Sequence, residues 1–262
     1  MTKRCVTAWI QNEHLHTATA QALFDLGFEP DWVNPNVNSS SHSITDHLVL
    51  RQPALVLVEL NVAFDSVNVI TTIKTSPATR RVPVLTISPD NRDETERAHK
   101  AGSNAIVSAS EFVMHAANLI QHHAKPDDSA ELARQAQMPL PELARQAIEQ
   151  FNQQEFFEQH ELFEALWRAE PGSVRQMYQG ILQVGVAYLQ IQRKNYVGAR
   201  KLFQRAWQYL NVLPDACQGV NIAQLKADAQ AAQAELERLG PQRISEFSAV
   251  FFKPVQIKES YW

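Results

Sequence analysis

Two patterns of apolar and polar positions divide the chain. Over residues 4–123, short apolar runs alternate with amphipathic stretches. The runs are Cys5–Ile10, Ala54–Leu60, Val82–Ser88 and Ala105–Ser108, with a weaker one at Phe28–Val33. Each holds β-branched residues and is bounded by Pro, Gly, Asn or Asp, which predicts buried parallel strands. Leu15–Leu26 and Asp93–Ala101 read as helices, stopped at Gly27 and Gly102. Ser110–His123 closes the series as a helix, and the polar stretch Asn34–Ser43 reads as a long loop. Strand and helix alternating five times predicts a doubly wound α/β domain, with its crevice at the carboxyl ends of the strands.

From about Lys125 the strands stop. Lys125–Ser129 reads as the start of a linker, so the expected division is a domain at 1–124, a linker at 125–140, a helical bundle at 141–240 and a tail at 241–262. Glu131–Ala136 recurs as Glu142–Ala147, eleven residues on, close to three helical turns, so both copies could present one face. Pro141 suits the first turn of a helix. The bundle helices are Pro141–Asn152, Glu155–Arg168, Ser173–Lys194, Tyr196–Leu210 and Ile222–Leu239. On the long third one, Met177, Ile181, Val184, Tyr188 and Ile191 recur at helical spacing as a core stripe. Gly180, Gly185, Ala187, Gly198 and Ala199 permit close backbone approach. The tail, with Phe247, Val250, Phe251, Phe252, Val255 and Ile257, is too apolar to hang free and is expected to pack back.

Composition narrows the function classes. The 262 residues are 45% hydrophobic and 20% charged, with net charge −4, which offers no bulk attraction for nucleic acid. The two cysteines, Cys5 and Cys217, cannot form a disulfide framework or a cysteine zinc site. Runs such as Ala54–Val58 and Val184–Leu189 are far below the roughly 18–20 residues that a membrane span needs. The first residues lack a long apolar segment and a cleavage site, so no signal peptide is expected. These features predict a cytoplasmic protein without membrane or nucleic-acid partners.

Three segments of the first half carry a resemblance: Pro53–Glu59, Val82–Ser88 ending in a hydroxyl, and Ala101–Val107 with an Ala-Gly-Ser turn. Together they resemble the receiver domains of bacterial response regulators, which implies a flavodoxin-like fold and a small magnesium site. Magnesium takes oxygen ligands, usually one or two carboxylates with water and phosphate. Here strand one is followed by Gln11 and Asn12, with Glu13 at the edge, and the phosphoacceptor position carries Glu59. Ser88 keeps the hydroxyl, but Ala109 or a serine beside it replaces the lysine that the family places after strand five. Glu59 is either a permanent mimic of the phosphorylated state or a solvated carboxylate left at a strand end. Both readings make this half a degenerate pseudo-receiver, a docking or dimerisation module.

The second half holds a sharper motif. His160-Glu161-x-x-Glu164-x-x-Trp167 is followed by Gln179-Gly-Ile-Leu-Gln183 and by Asn195-x-x-Gly-Ala199. In that order these resemble the bacterial and archaeal domain of unknown function 309, over about 141–212. The resemblance implies an all-helical bundle, and the family also carries the label of a metal-dependent hydrolase. His160 and Glu164 stand at i and i+4, hence on one face, with Trp167 one turn on. They could hold a divalent metal with a third ligand such as Glu161. Alternatively, Gln179 and Gln183, also four apart, could meet them in a buried hydrogen-bonded network that fixes helix register. The other histidines form no second cluster.

The expected molecule is therefore a cytosolic signalling or adaptor protein, a receiver-like α/β domain joined to an all-α bundle, with a protein partner or a second copy. Two other readings stay open. One is a metal-dependent hydrolase using His160, Glu161 and Glu164, and the other is an active phosphorelay receiver.

Overall fold

The structure, a computed structural model, describes residues 4–34, 41–61, 65–89 and 92–258. The described chain forms two compact units, 1–126 and 127–262, each with its own core.

Unit 1 contains strands β1 (Cys5–Trp9), β2 (Glu29–Trp32), β3 (Leu55–Glu59), β4 (Val84–Ser88) and β5 (Ala105–Ser108). Between and after them run α1 (Glu13–Leu26), α2 (Ser41–Arg51), α3 (Ser66–Thr75), α4 (Arg92–Lys100) and α5 (Ala109–His123). The sheet is wholly parallel in the order β2-β1-β3-β4-β5. Every residue of β1, β3 and β4 is buried, which explains their unbroken apolar runs. Alternate residues serve opposite faces. Val6, Ala8, Leu55, Leu57, Leu85 and Ile87 pack under α1 and α5, while Trp9, Val56, Val58 and Val84 face the layer containing α2 and α3. The edge strand β2 alternates in exposure and accommodates Pro30, which a central strand would not.

Helix α2 departs from the loop expected at Asn34–Ser43. Residues 35–40 of that stretch lie outside the described residues, but Ser41–Ser43 already belong to the helix. Its apolar positions are few: Ile44, Leu48 and Val49 are buried, with Thr45. A tie of charges holds it to the sheet. Asp31 on β2 accepts from the Thr7 hydroxyl at 2.6 Å and lies 2.8 Å from His47 Nε2 and 3.3 Å from Arg51 Nε. Arg51 also pairs with Glu29 at 2.8 Å. Burial alone would raise the Asp31 pKa, but the hydrogen bonds from His47 and Thr7 and the charges of His47 and Arg51 outweigh it and leave it below 3.8.

Unit 2 contains α6 (Ser129–Ala136), α7 (Glu142–Asn152), α8 (Phe156–Ala169), α9 (Arg175–Gln192), α10 (Tyr196–Leu210) and α11 (Ile222–Leu239). A two-stranded ladder, β6 (Ala216–Cys217) and β7 (Val220–Asn221), precedes α11. The expected linker at 125–140 is corrected by α6, whose Leu132 and Ala136 sit in the bundle core. Its buried Gln135 accepts from Val174 N at 2.9 Å and donates to Glu131 at 2.8 Å. Gly172 leaves room for that amide; a Cβ there would collide with it. The repeated hexapeptide does not repeat its role. The first copy buries Leu132, Gln135 and Ala136, whereas in the second Leu143 is exposed and Ala144 and Ala147 are buried.

The stripe on α9 is buried as its spacing predicts, from Met177 to Ile191. A Cβ at Gly180 would strike Leu210 of α10, and one at Gly185 would stand 2.6 Å from Gln159 Nε2 of α8. The two glycines therefore set how closely α8 and α10 approach α9. The tail runs back over the bundle. Asn152 receives Val255 N at 2.7 Å and donates to Val255 O at 3.0 Å, Ile257 bridges to Val220, and Phe252 packs against Tyr188 and Phe156.

Two measurements follow from these contacts. Because the Asp31 pKa is depressed, its contribution is present above about pH 4 and lost as pH falls through the folded value. Wild type should therefore lose more stability between about pH 5 and pH 3 than Asp31→Asn, read by denaturant melts. Tyr188 is central among four rings, yet its buried hydroxyl has no partner, and burial pushes its pKa up. Removing an unmet buried polar atom relieves its desolvation cost. Tyr188→Phe should stabilise unit 2 by about 1 kcal/mol, raising its melting temperature by a few degrees.

Candidate functional site

In unit 1 the crevice lies where β1 and β3 end, on either side of the point at which the strand order reverses. Glu59, the last residue of β3, turns its carboxylate onto the β1–α1 loop. Its Oε2 accepts from Gln11 N at 2.6 Å and from Asn12 N at 3.0 Å, and the residue is only 8% exposed. This corrects the reading of Glu59 as a solvated remnant: two backbone donors hold it. Asn12 is committed elsewhere, capping α1 by accepting from His14 N at 2.9 Å and Leu15 N at 3.2 Å. Gln11 accepts from Asn61 Nδ2 at 3.0 Å, and Glu13 is exposed in the first turn of α1.

The remaining positions are equally engaged. Buried Ser88 shares a hydrogen bond of 2.8 Å with Thr95 of α4. Ser88 pairs in register with Ser108, so Ser108 ends β5, and Ala109 is the first residue of α5. The serine serves as N-cap, accepting from Glu111 N at 3.1 Å. A magnesium ion needs ionised oxygens free to turn toward it. Here two of the expected positions are neutral amides, and the one buried carboxylate has its Oε2 held by two backbone N–H groups, so the donor set is a poor match for magnesium. Asn61 and Thr95 complete this site and were not among the expected residues, and of the serines expected beside Ala109 it is Ser108 that takes part. Only the polar character of loop ends could have pointed to them.

In unit 2 the expected quartet does not form a hydrogen-bonded network. His160 is half-buried and makes no hydrogen bond among the described residues. Glu164 pairs with Arg168 at 2.6 Å on its own helix, and Glu161 is exposed. Gln179 and Gln183 are each 9% exposed on α9, and Gln183 Oε1 is buried without a partner. The i, i+4 spacing places each pair on one face but does not make the faces hydrogen-bond across helices. Among the described residues no three His, Cys, Asp or Glu side chains are grouped to hold a metal ion, so the hydrolase triad of His160, Glu161 and Glu164 does not fit one.

Two contacts of this region escaped the sequence. Trp167 has two guanidinium groups near its ring, Arg168 at 5.9 Å and Arg175 at 5.5 Å from the centroid. Gln159, fully buried, donates to Phe156 O at 3.0 Å and lies against Gly185. The glycine inside a long helix was its one available signal.

The strand order and parallel pairing of unit 1 define a receiver-like, flavodoxin-like α/β fold. Solved response regulators are similar over this half of the chain. They include the phosphorylated cyanobacterial phytochrome response regulator RcpA (19% identity, covering 47% of this chain and 94% of that one, TM-score 0.38). Others are response regulators from Thermotoga maritima (18%, 46% and 97%, TM-score 0.37) and Hahella chejuensis (13%, 46% and 94%, TM-score 0.39). At these identities the likeness concerns the fold alone. In unit 2, the family model described as domain of unknown function DUF309 matches residues 144–202, from early α7 into α10. None of the curated proteins matches the sequence. No helix among the described residues is long and apolar enough to cross a membrane.

The two carboxylates singled out by the sequence should differ in energy. Glu59→Ala strands two backbone donors and should cost about 1–3 kcal/mol. Glu164→Ala removes one partner of a surface ion pair and should change stability by about 0–1 kcal/mol. Urea titration of the two variants checks both. A large loss in Glu164→Ala would show a buried role that its pairing with Arg168 does not account for.

Proposed function

We propose that the chain is a signalling adaptor in which the receiver-like unit has lost phosphoryl chemistry and the helical unit carries interaction. The observation that supports this most is the Glu59 carboxylate, spent on Gln11 N and Asn12 N. Phosphoryl transfer needs a free acceptor oxygen, a metal to balance developing charge, and a cation or donor on the phosphoryl oxygens. Both hydrogen bonds fall on Oε2 and fix the orientation of the carboxylate, and Gln11 and Asn12 supply no charge for a metal. Serine at the end of β5 supplies no cation. Glu59 thus acts as an internal anion, holding the β1–α1 loop in one arrangement. On this reading unit 1 presents a fixed surface, and a protein partner or a second copy of the chain reads it.

The hydrolase reading is the weaker one, since Glu164 is engaged by Arg168 and, among the described residues, no three His, Cys, Asp or Glu side chains are grouped to hold a metal ion. Calorimetry with magnesium and beryllofluoride tests the proposal. No saturable heat is expected. A one-site isotherm that disappears in Glu59→Ala would overturn it and restore the active receiver.

A further inference from the structure

From residue 171 to residue 214 the sequence contains no Asp or Glu. It contains Arg175, Arg193, Lys194, Arg200, Lys201 and Arg205, in a chain whose net charge is −4. This stretch includes the whole α9–α10 hairpin. Elsewhere in unit 2, Arg134, Arg168, Arg238 and Arg243 each pair with a carboxylate three or four residues away. None of the six hairpin cations has an ion pair among the described residues. Arg205 Nε is, in addition, buried without an acceptor.

Folding does not require this exclusion. The inner side of α10 is fully used: Phe203 meets Tyr188, Trp207 Nε1 donates to Gln233 of α11 at 2.6 Å, and Leu210 lies over Gly180. The opposite side carries Val197, Lys201, Gln204 and Gln208 at helical spacing, with Arg205 four residues after Lys201. Val197 and Lys201 are exposed, as are Arg193 and Lys194 in the turn before α10. Glutamate is a good helix former and would gain a few tenths of a kcal/mol from an i, i+4 pair with Lys201 or Arg205. Its absence along the whole face points to an anion supplied from outside the chain.

We propose that the outer face of α10, with the Arg193–Lys194 turn, docks an acidic segment of a partner protein. The composition of the face favours polypeptide over nucleic acid. The exposed Val197 beside exposed Lys201 suits an apolar side chain next to an acidic one. Phe203 and Trp207 are turned inward, away from any base that would stack on them. The proposal rests on the adaptor reading of unit 2 and gives its partner a charge and a location.

Fluorescence anisotropy on the full chain, with labelled poly-L-glutamate and with labelled duplex DNA of equal charge, tests it. Saturable binding of polyglutamate is expected at about 50 mM salt, weakening at least about tenfold at about 300 mM as the charges are screened. The double variant Arg193→Glu/Lys201→Glu should lose at least about tenfold in affinity, and Arg80→Glu, an exposed charge of unit 1, should lose none. Should the reversal variant melt early, Arg193→Gln/Lys201→Gln removes the charges with less perturbation and should show the same direction of loss. No binding of polyglutamate, binding indifferent to the hairpin variants, or DNA binding as tight as polyglutamate overturns the proposal. The magnesium and beryllofluoride experiment reads unit 1 alone, so the two proposals fail separately.

Discussion

Close approach at Gly180 and Gly185 is the constraint on which unit 2 is built. A helix flanked at that distance has little room for long polar groups and none for an unpaired carboxylate, whose desolvation would cost several kcal/mol. Helix α9 obeys this: from Met177 to Gly185 every residue is buried, and its polar members are neutral. The consequence is visible in Gln183 and Gln159, amides with buried unmet oxygens that tight packing leaves no space to turn. Burial accounts for the missing acids of α9. It does not account for those of α10, whose outer side exposes Val197 and Lys201, and the two helices must be explained separately although they share one acid-free stretch.

Unit 1 is organised by a different economy of polar groups. Its strands need no side-chain polarity, because neighbouring backbones satisfy each other. The polar side chains at the strand ends are spent on local hydrogen bonds. Glu59 satisfies two amides, Asn12 and Ser108 cap helices, and Ser88 reaches Thr95. A binding crevice needs the opposite, groups held in place yet left unsatisfied until a ligand arrives. In unit 1 the polar groups at the strand ends are engaged internally, and fold likeness alone says little about chemistry.

The parts of this molecule legible in the sequence are those governed by burial. Leu55–Glu59 and Val84–Ser88 announce themselves because both faces of the sheet are covered, and the α9 stripe because its period is unmistakable. Helix α2 was hidden because three apolar residues and an electrostatic tie through Asp31 hold it, and ion pairing across elements leaves no period. Helix α6 was hidden between short flanks, with Gln135 as its main anchor. The identical hexapeptides, one buried through Leu132 and the other exposing Leu143, show why local sequence could not assign it. For the sites the obstacle was different. Spacing along a helix tells which side chains are neighbours, so His160 and Glu164 were legible as a pair, but not that Glu164 turns to Arg168. The backbone partners of Glu59 leave no trace in residue identity at all.

A loop clamped by its own protein has one further implication. A switch carries information in time because it has two states and something to move it between them. If unit 1 has lost phosphoryl chemistry, as proposed, the Glu59 carboxylate holds the β1–α1 loop in one arrangement and that route to a second state is closed at the crevice. On the adaptor reading, what such a protein reports is its own abundance: the dose is set when the chain is made and erased when it is degraded. Its regulation would then belong to synthesis and turnover rather than to any chemistry performed on the folded molecule.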